Sequence, residues 1–215
     1  MSELIILDQN APSVQYLYAK DKRMQKVMAM VGPITYRPYE DSYAFLVSQI
    51  IGQMLSNKAA AKIYQRLEAL CQGVVSPEQI SALSEEEIKS IGTSGPKVQY
   101  IRSLTKAVLD GAIDFGQFPE MPDEAVAKKL MTVRGIGAWS AKMYLIFVLN
   151  RPDVLPYEDA AFLQGYGWAY QTNDYTPAVI RKKCKKWQPY SSIAARYLYR
   201  ALDLGLTKQE FHLFQ

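Results

Sequence analysis

The chain has 215 residues, 49% of them hydrophobic, a formal charge of +4 and two cysteines, which is long enough for a sizeable core and too apolar for disorder. Its longest unbroken apolar run, Met143–Leu149, is far below the roughly 18 residues that span a bilayer, and the start MSELIILDQN has neither the basic nor the long apolar region of a secretory signal. Cys71 and Cys184 lie far apart and fit thiols in a reducing cytoplasm better than a disulfide framework. They exclude a four-cysteine iron–sulfur site, and with His212 as the one histidine a zinc site built from side chains is not expected.

Helical signals dominate and strand alternation is nearly absent, so the expected fold class is all-α. From Ser42 to Gln72, Phe45, Leu46, Ile50, Ile51, Met54, Ala59, Ala60, Ile63, Leu67 and Leu70 recur at helical spacing with a break near Ser56 and Asn57, which predicts two helices joined by a short turn. By this periodicity Met54 belongs to the core. Ser76-Pro77-Glu78 opens a short helix, Ser84 to Glu87 forms a capping box before Ile88, and Gly92 to Gly95 breaks the chain before a helix through Ile101, Leu104 and Val108. Asp123 is the expected cap of the helix leading to Leu130.

Next comes VRGIGAW, in which Arg134, Gly135, Ile136 and Gly137 form a tight turn before a helix that is apolar on every face: Trp139, Met143, Ile146 and Phe147 on one, Tyr144, Leu145 and Val148 on another. Such a helix must be central. A glycine pair ahead of a helix offers free backbone N–H groups and can seat a phosphate, though the same pair also serves as a plain turn between packed helices. Twenty residues after Trp139, beyond Asn150, Arg151, Pro152 and Pro156, stands Asp159. It is either a helix cap, a carboxylate for chemistry, or both. The C-terminal stretch predicts helices over Pro177–Trp187, capped by Thr176, and Ser191–Leu204. Between Thr176 and Arg200 lie Arg181, Lys182, Lys183, Lys185, Lys186, Arg196 and Arg200 with no carboxylate; the run is a solvated helix face or a surface for polyanions.

The hairpin, the Pro-marked loop and Asp159 together resemble the helix-hairpin-helix (HhH-GPD) DNA glycosylase superfamily. LVSQIIGQMLSNKAAAKIYQRL (Leu46–Leu67), IGTSGPKVQYIRSLTKAV (Ile91–Val108) and WQPYSSIAARYLYR (Trp187–Arg200) resemble further segments of that family, the last one of its 3-methyladenine DNA glycosylase II branch in compact form. The resemblance runs from about Ser42 to Arg200. It implies a two-lobed helical fold with DNA in a cleft between lobes, residues 40–152 forming a central lobe and 1–39 plus 153–215 the other.

The resemblance also implies roles. Asp159 matches the catalytic aspartate, by its spacing from Trp139, in preference to Glu158. Trp139 stands where the strand-cutting members carry a lysine nucleophile, which implies a monofunctional enzyme that uses water; Lys142, one turn on, is then a helix-surface cation. Trp139 and Tyr199 match the pocket for an extruded base, with Met143 where an aromatic is common and Tyr144 or Tyr157 able to compensate. Met54, after Gln53, matches the minor-groove wedge. Ser191 replaces an arginine, implying lost phosphate or loop contacts. The implied activity is hydrolysis of the N-glycosidic bond of alkylated purines, 3-methyladenine and 7-methylguanine, in base excision repair. The implied partner is damaged double-stranded DNA, met by a cytoplasmic monomer with no cofactor; a monovalent cation at the hairpin backbone is the one ion implied. Alternatives at this stage are the same fold acting on an oxidised, deaminated or mismatched base, a non-catalytic DNA-binding module, and a helical scaffold without DNA affinity.

Overall fold

The computed structural model describes residues 2–213; Met1, Phe214 and Gln215, the extremities of the expected terminal lobe, lie outside the described residues. The described chain forms two compact units, one from residues 2–38 and 150–213, the other from Tyr39–Leu149. Among the described residues no helix is long and apolar enough to cross a membrane.

The middle unit consists of α3 to α9, all helical. In α3 (Ser42–Gly52) Tyr43, Phe45, Leu46, Val47, Ile50 and Ile51 are buried, and α4 (Asn57–Leu70) starts after a four-residue break, Gln53–Ser56, with the Ser56 hydroxyl accepting from the Ala59 amide at 3.3 Å. The short α5 (Pro77–Ala82) and α6 (Glu85–Ser90) are capped as their sequences require. Ser76 accepts from the Gln79 amide, and Ser84 and Glu87 satisfy each other's backbone amides at 3.1 and 2.7 Å. Helix α7 (Gly95–Leu109) packs against α3 and α5. Helix α8 (Asp123–Leu130) begins one residue earlier than its acidic residue suggests: Pro122 holds the cap position and Asp123 occupies the first turn, where its charge still favours the helix dipole.

Helix α9 (Ala138–Phe147) is as central as its uniform apolarity demands, with Ser140, Ala141, Met143, Tyr144, Leu145 and Ile146 buried. Tyr144 sits among Phe45, Phe115 and Phe118, ring centres 6.4, 6.0 and 5.8 Å away, and its hydroxyl pairs with Ser42 at 2.8 Å. This corrects the expectation that Tyr144 could line a base pocket. Its whole surface is committed to the core of its own unit, because a buried phenol needs both aromatic neighbours and a partner for its oxygen.

The other unit joins the two ends of the chain. Strands β1 (Ile5–Leu7) and β2 (Ile34–Tyr36) pair antiparallel with Ile6 opposite Thr35. With three residues each they are too short for alternation to be visible in the sequence. Between them run α1 (Pro12–Lys20) and α2 (Lys22–Val31). They pack with α10 (Ala160–Tyr170), α11 (Pro177–Cys184) and α12 (Ser191–Asp203) around Leu17, Met24, Val27, Phe162, Tyr166, Trp187, Ala194 and Leu198. Thr176 occupies the cap position of α11 without a side-chain hydrogen bond. The Gln188–Pro189 peptide is cis. Gly165 lets α10 approach α12 closely, since a Cβ there would lie 3.0 Å from the Leu198 Cβ and 3.2 Å from its carbonyl oxygen.

One buried charge organises this core. Asp21, 2% exposed, caps α2 through the Arg23 and Met24 amides, accepts from the Tyr170 hydroxyl and from Trp187 Nε1 at 2.8 Å, and pairs with Lys186 Nζ at 3.0 Å. Burial works against its ionisation, but the hydrogen bonds from Tyr170, Trp187 and Lys186 outweigh burial and hold the carboxyl below its ordinary value. Such a group contributes its stability in full above the unfolded value and loses it as pH falls through the lower native value. Asp21→Asn is therefore expected to lower the unfolding free energy by about 2–4 kcal/mol near neutral pH, measured by urea denaturation. The gap between variant and wild type should close as pH drops below about 4; a gap independent of pH would contradict the assignment.

Candidate active site

The expected site residues fall in both units. In the middle unit, the turn between α8 and α9 is built on a glycine whose backbone and surroundings both disfavour a side chain. Gly135 has φ +92°, in the left-handed region, and a Cβ there would collide with the ring of Tyr100 on α7. Arg134 is exposed, with its guanidinium 5.9 Å from the centre of the same ring. Gly137 has a different role: its φ of −104° is open to any residue and nothing lies within 4 Å of a Cβ built on it. It begins α9 with no side-chain cap hydrogen bond at that end, and the N-terminal turn of a helix, whose first amides have no acceptor within the helix, favours an anion. Ile136 anchors the turn by burial, at 5% exposure.

A clamp of hydrogen bonds ties this turn to the break after α3. Gln53 Nε2 donates to the Gly135 carbonyl oxygen at 2.9 Å, and Lys97 Nζ on α7 donates to the carbonyl oxygens of Ile51 at 2.8 Å and Gln53 at 2.7 Å. Lys97 is partly buried, which pushes its pKa down. The clamp carries Met54, whose side chain is fully exposed and whose φ is +60°. Periodicity had put Met54 in the core; the structure reverses this, because the helix ends at Gly52 and the following residues leave the helical register. A linear apolar side chain held fully in water at a positive φ is costly. Lys97 and Tyr100 were not singled out from the sequence, although both lie in the IGTSGPKVQYIRSL segment. Trp139 and Lys142 on α9 are half-buried, and Met143 is buried at 4% exposure.

In the other unit, the loop from Asn150 runs into α10 at Asp159. The Asp159 side chain caps that helix, Oδ1 accepting from the Phe162 amide at 2.8 Å, and its own amide donates to Pro156 O at 2.9 Å. It is 8% exposed. On α12 Tyr199 lies beside the same carboxylate, and burial first, then the neighbouring charge of Asp159, push its pKa far up, so the phenol stays protonated. Glu158, the neighbouring carboxylate, is exposed.

The loop itself is fastened to the start of α12. Asp153 Oδ1 accepts from the Ser191 amide at 3.2 Å and hydroxyl at 2.5 Å, Ser192 Oγ accepts from the Val154 amide at 2.9 Å, and the Ser192 amide donates to Pro152 O at 2.9 Å. Ser191 thus supplies a loop contact where the sequence implied that one was lost. Tyr157, half-buried, accepts from Arg181 Nη2 at 2.7 Å, and the guanidinium lies 4.4 Å over its ring. Asn150, at φ +51°, accepts from the Tyr36 hydroxyl at 3.0 Å, and Arg196 stacks 3.8 Å over the Tyr36 ring.

Gly135→Ala is expected to cost about 1–3 kcal/mol, since it combines left-handed strain with the Tyr100 overlap. Gly137→Ala should cost less than about 1 kcal/mol in the free protein. Urea denaturation of the two variants checks this, and equal losses would remove Tyr100 as the reason for the glycine.

Residues 47–189 match the family described as HhH-GPD superfamily base excision DNA repair protein. The fold resembles the crystal structure of a DNA-3-methyladenine glycosidase from Bacillus halodurans at 31% identity, with a TM-score of 0.85 and 97% of each chain covered. It also resembles the Schizosaccharomyces pombe 3-methyladenine DNA glycosylase (Mag1) in complex with abasic DNA, at 25% identity and a TM-score of 0.82, over 95% of this chain and all of that one. In sequence, DNA-3-methyladenine glycosylase 1 of S. pombe is 28% identical over 199 residues, 88% of this chain and 86% of its own length. With the matched segment spanning both the Gly135–Gly137 turn and Asp159, the chain belongs to the HhH-GPD superfamily of base excision DNA repair proteins.

Proposed function

We propose that this protein is a monofunctional DNA glycosylase that acts as a monomer on damaged duplex DNA and releases alkylated purines, 3-methyladenine and 7-methylguanine above all. The observation that carries this reading is the Asp159 carboxylate, nearly buried, held by the Phe162 amide and lying beside a protonated Tyr199. The names of the relatives from B. halodurans and S. pombe support the substrate class.

The chemistry follows from charge. As the N-glycosidic bond breaks, positive charge grows on the deoxyribose, and a carboxylate beside C1′ stabilises it. Asp159 then takes a proton from the water whose oxygen bonds to C1′, while the bonding electrons leave with the base. Alkylation at a purine nitrogen gives the base a positive charge and makes it a good leaving group, so little acid catalysis is required. Aromatic faces such as those of Tyr157 and Tyr199 in one unit, and of Trp139 in the other, are the kind that attract such a cation. Because Trp139 has no amine, no Schiff base forms with the sugar and the strand is left intact at an abasic site.

The target base must first leave the stack. Met54 is assigned as the wedge that fills its place, with Gln53 and Lys97 bracing the backbone behind it. Arg134 and the amides after Gly137 bind phosphate. The Gly135 carbonyl oxygen accepts from Gln53 and the Val133 carbonyl oxygen from the Ile136 amide; each keeps a second lone pair, so the turn fits a monovalent cation, which would add positive charge where a phosphate approaches.

The purified protein incubated with methylated duplex DNA is expected to release methylated purines and to give strand breaks only after alkali. Asp159→Asn should lower that release by roughly a hundredfold or more while keeping the fold, since asparagine caps a helix as well as aspartate, and keeping affinity for abasic DNA. Breaks without alkali, or unchanged release by the variant, would overturn the proposal, and release confined to neutral bases would move it to another lesion.

A further inference from the structure

We propose that the thioether of Met54 is an oxidation site, and that its conversion to the sulfoxide switches off base extrusion. The inference rests on the reading of Met54 as the wedge. Among the described residues Met54 is the most exposed methionine: Met24, Met28 and Met143 are 0%, 5% and 4% exposed, Met30 and Met131 37% and 45%, whereas Met54 is at 101%. Cys71 and Cys184, the competing sulfur nucleophiles, are both buried at 1%. Among the described residues, a peroxide in solution therefore meets the Met54 sulfur first.

The step is a simple oxygen transfer. A sulfur lone pair attacks one oxygen of hydrogen peroxide, the O–O bond breaks, and the second oxygen leaves as water after proton transfer. The sulfur is oxidised by two electrons and the peroxide reduced by two. The product has a strong S–O dipole in place of a soft apolar tip. Pushing that dipole between stacked bases strips it of water without offering a hydrogen-bond donor in return, which opposes the insertion the thioether favours. The backbone adds to the sensitivity. Gln53 and Lys97 pin the residue before Met54, and its φ of +60° leaves it little freedom to swing the altered side chain aside. The folded protein itself should tolerate the change, because nothing packs on a side chain wholly in solvent.

The test treats the full chain with hydrogen peroxide, maps the peptide carrying Met54 by mass, and measures single-turnover base release from methylated duplex DNA together with thermal unfolding. The expected result is one oxygen atom on that peptide, a fall in release of roughly tenfold, an unchanged unfolding temperature, and recovery after incubation with a methionine sulfoxide reductase and a thiol reductant. Met54→Leu, whatever its own starting rate, should keep that rate through the same treatment. A Met54→Leu variant that loses as much as the wild type would put the damage elsewhere. Oxidised wild type with an undiminished rate would refute the switch while leaving the wedge standing. Met54→Ala releasing base as fast as the untreated wild type would refute the wedge, and the switch with it.

Discussion

A carboxylate nearly out of water has to be held in place, and two elements from different parts of the chain meet at Asp159: the helix it begins, whose Phe162 amide donates to it, and α12, whose Tyr199 lies beside it. The first fixes the side chain to a rigid element, since a cap bond is locked to the direction of its helix. The second places the acid against a helix whose buried face runs through Ile193, Ala194, Tyr197 and Leu198. Most of the unit around Asp159 can be understood as the means of keeping this geometry. The close passage of α10 over α12 at Gly165, the serine pair that fastens the preceding loop, and the Asp21 cluster that joins α2 to Tyr170 and Trp187 all restrict the same helices. A carboxylate meant to stabilise charge in a transition state must not move to do so, because reorganisation at that moment would consume what the electrostatics supply.

The middle unit solves a different problem. Its turn and its break after α3 both expose backbone, and exposed backbone drifts unless something restrains it. Lys97 does so with a cation shared between two carbonyl oxygens, and Gln53 bridges from one irregular segment to the other. Charge-assisted bonds of this kind are stronger than neutral ones, and they are placed where no helix ladder is available. Tyr100 serves as a floor: it supports the guanidinium of Arg134 and fills the space that forces position 135 to be glycine.

How much of this was visible beforehand depends on whether a residue's role is local. Caps and turns are local, so Ser84 with Glu87, Ser76 with Pro77, and the Gly135–Gly137 turn could be read from neighbours in the chain. The apolar faces of α3 and α9 were equally legible as periodicity. Roles that depend on distant partners were not. Lys97 looks like any lysine at a helix start until Ile51 and Gln53 are folded against it, and Arg181 looks like part of a basic run until Tyr157 lies beneath it. Tyr144 failed in the other direction: spacing alone could not tell a pocket aromatic from one enclosed by Phe45, Phe115 and Phe118. The family motif singled out Asp159 over the adjacent Glu158 by its spacing from Trp139, and of the two it is Asp159 that is buried and caps a helix.

Met54 shows why a local rule that fails is informative. Hydrophobic spacing assigns it to a core, helix propensity favours continuing α3 through it, and a β-unbranched residue has no reason to adopt a left-handed backbone; the structure violates all three at one position. Strain of this kind costs on the order of 1–3 kcal/mol and persists only where surrounding structure over-determines it. Here the determinants are identifiable, in the Lys97 and Gln53 bonds on one side and the Ser56 cap of α4 on the other. If stability alone were served, continuing α3 by one turn would relieve the backbone at Met54 and give the carbonyl oxygens that Lys97 now holds their own helical partners. That three bonds hold the position exposed is what the proposed wedge role requires, since a base stack that receives an apolar tip would offset a cost the free protein bears alone.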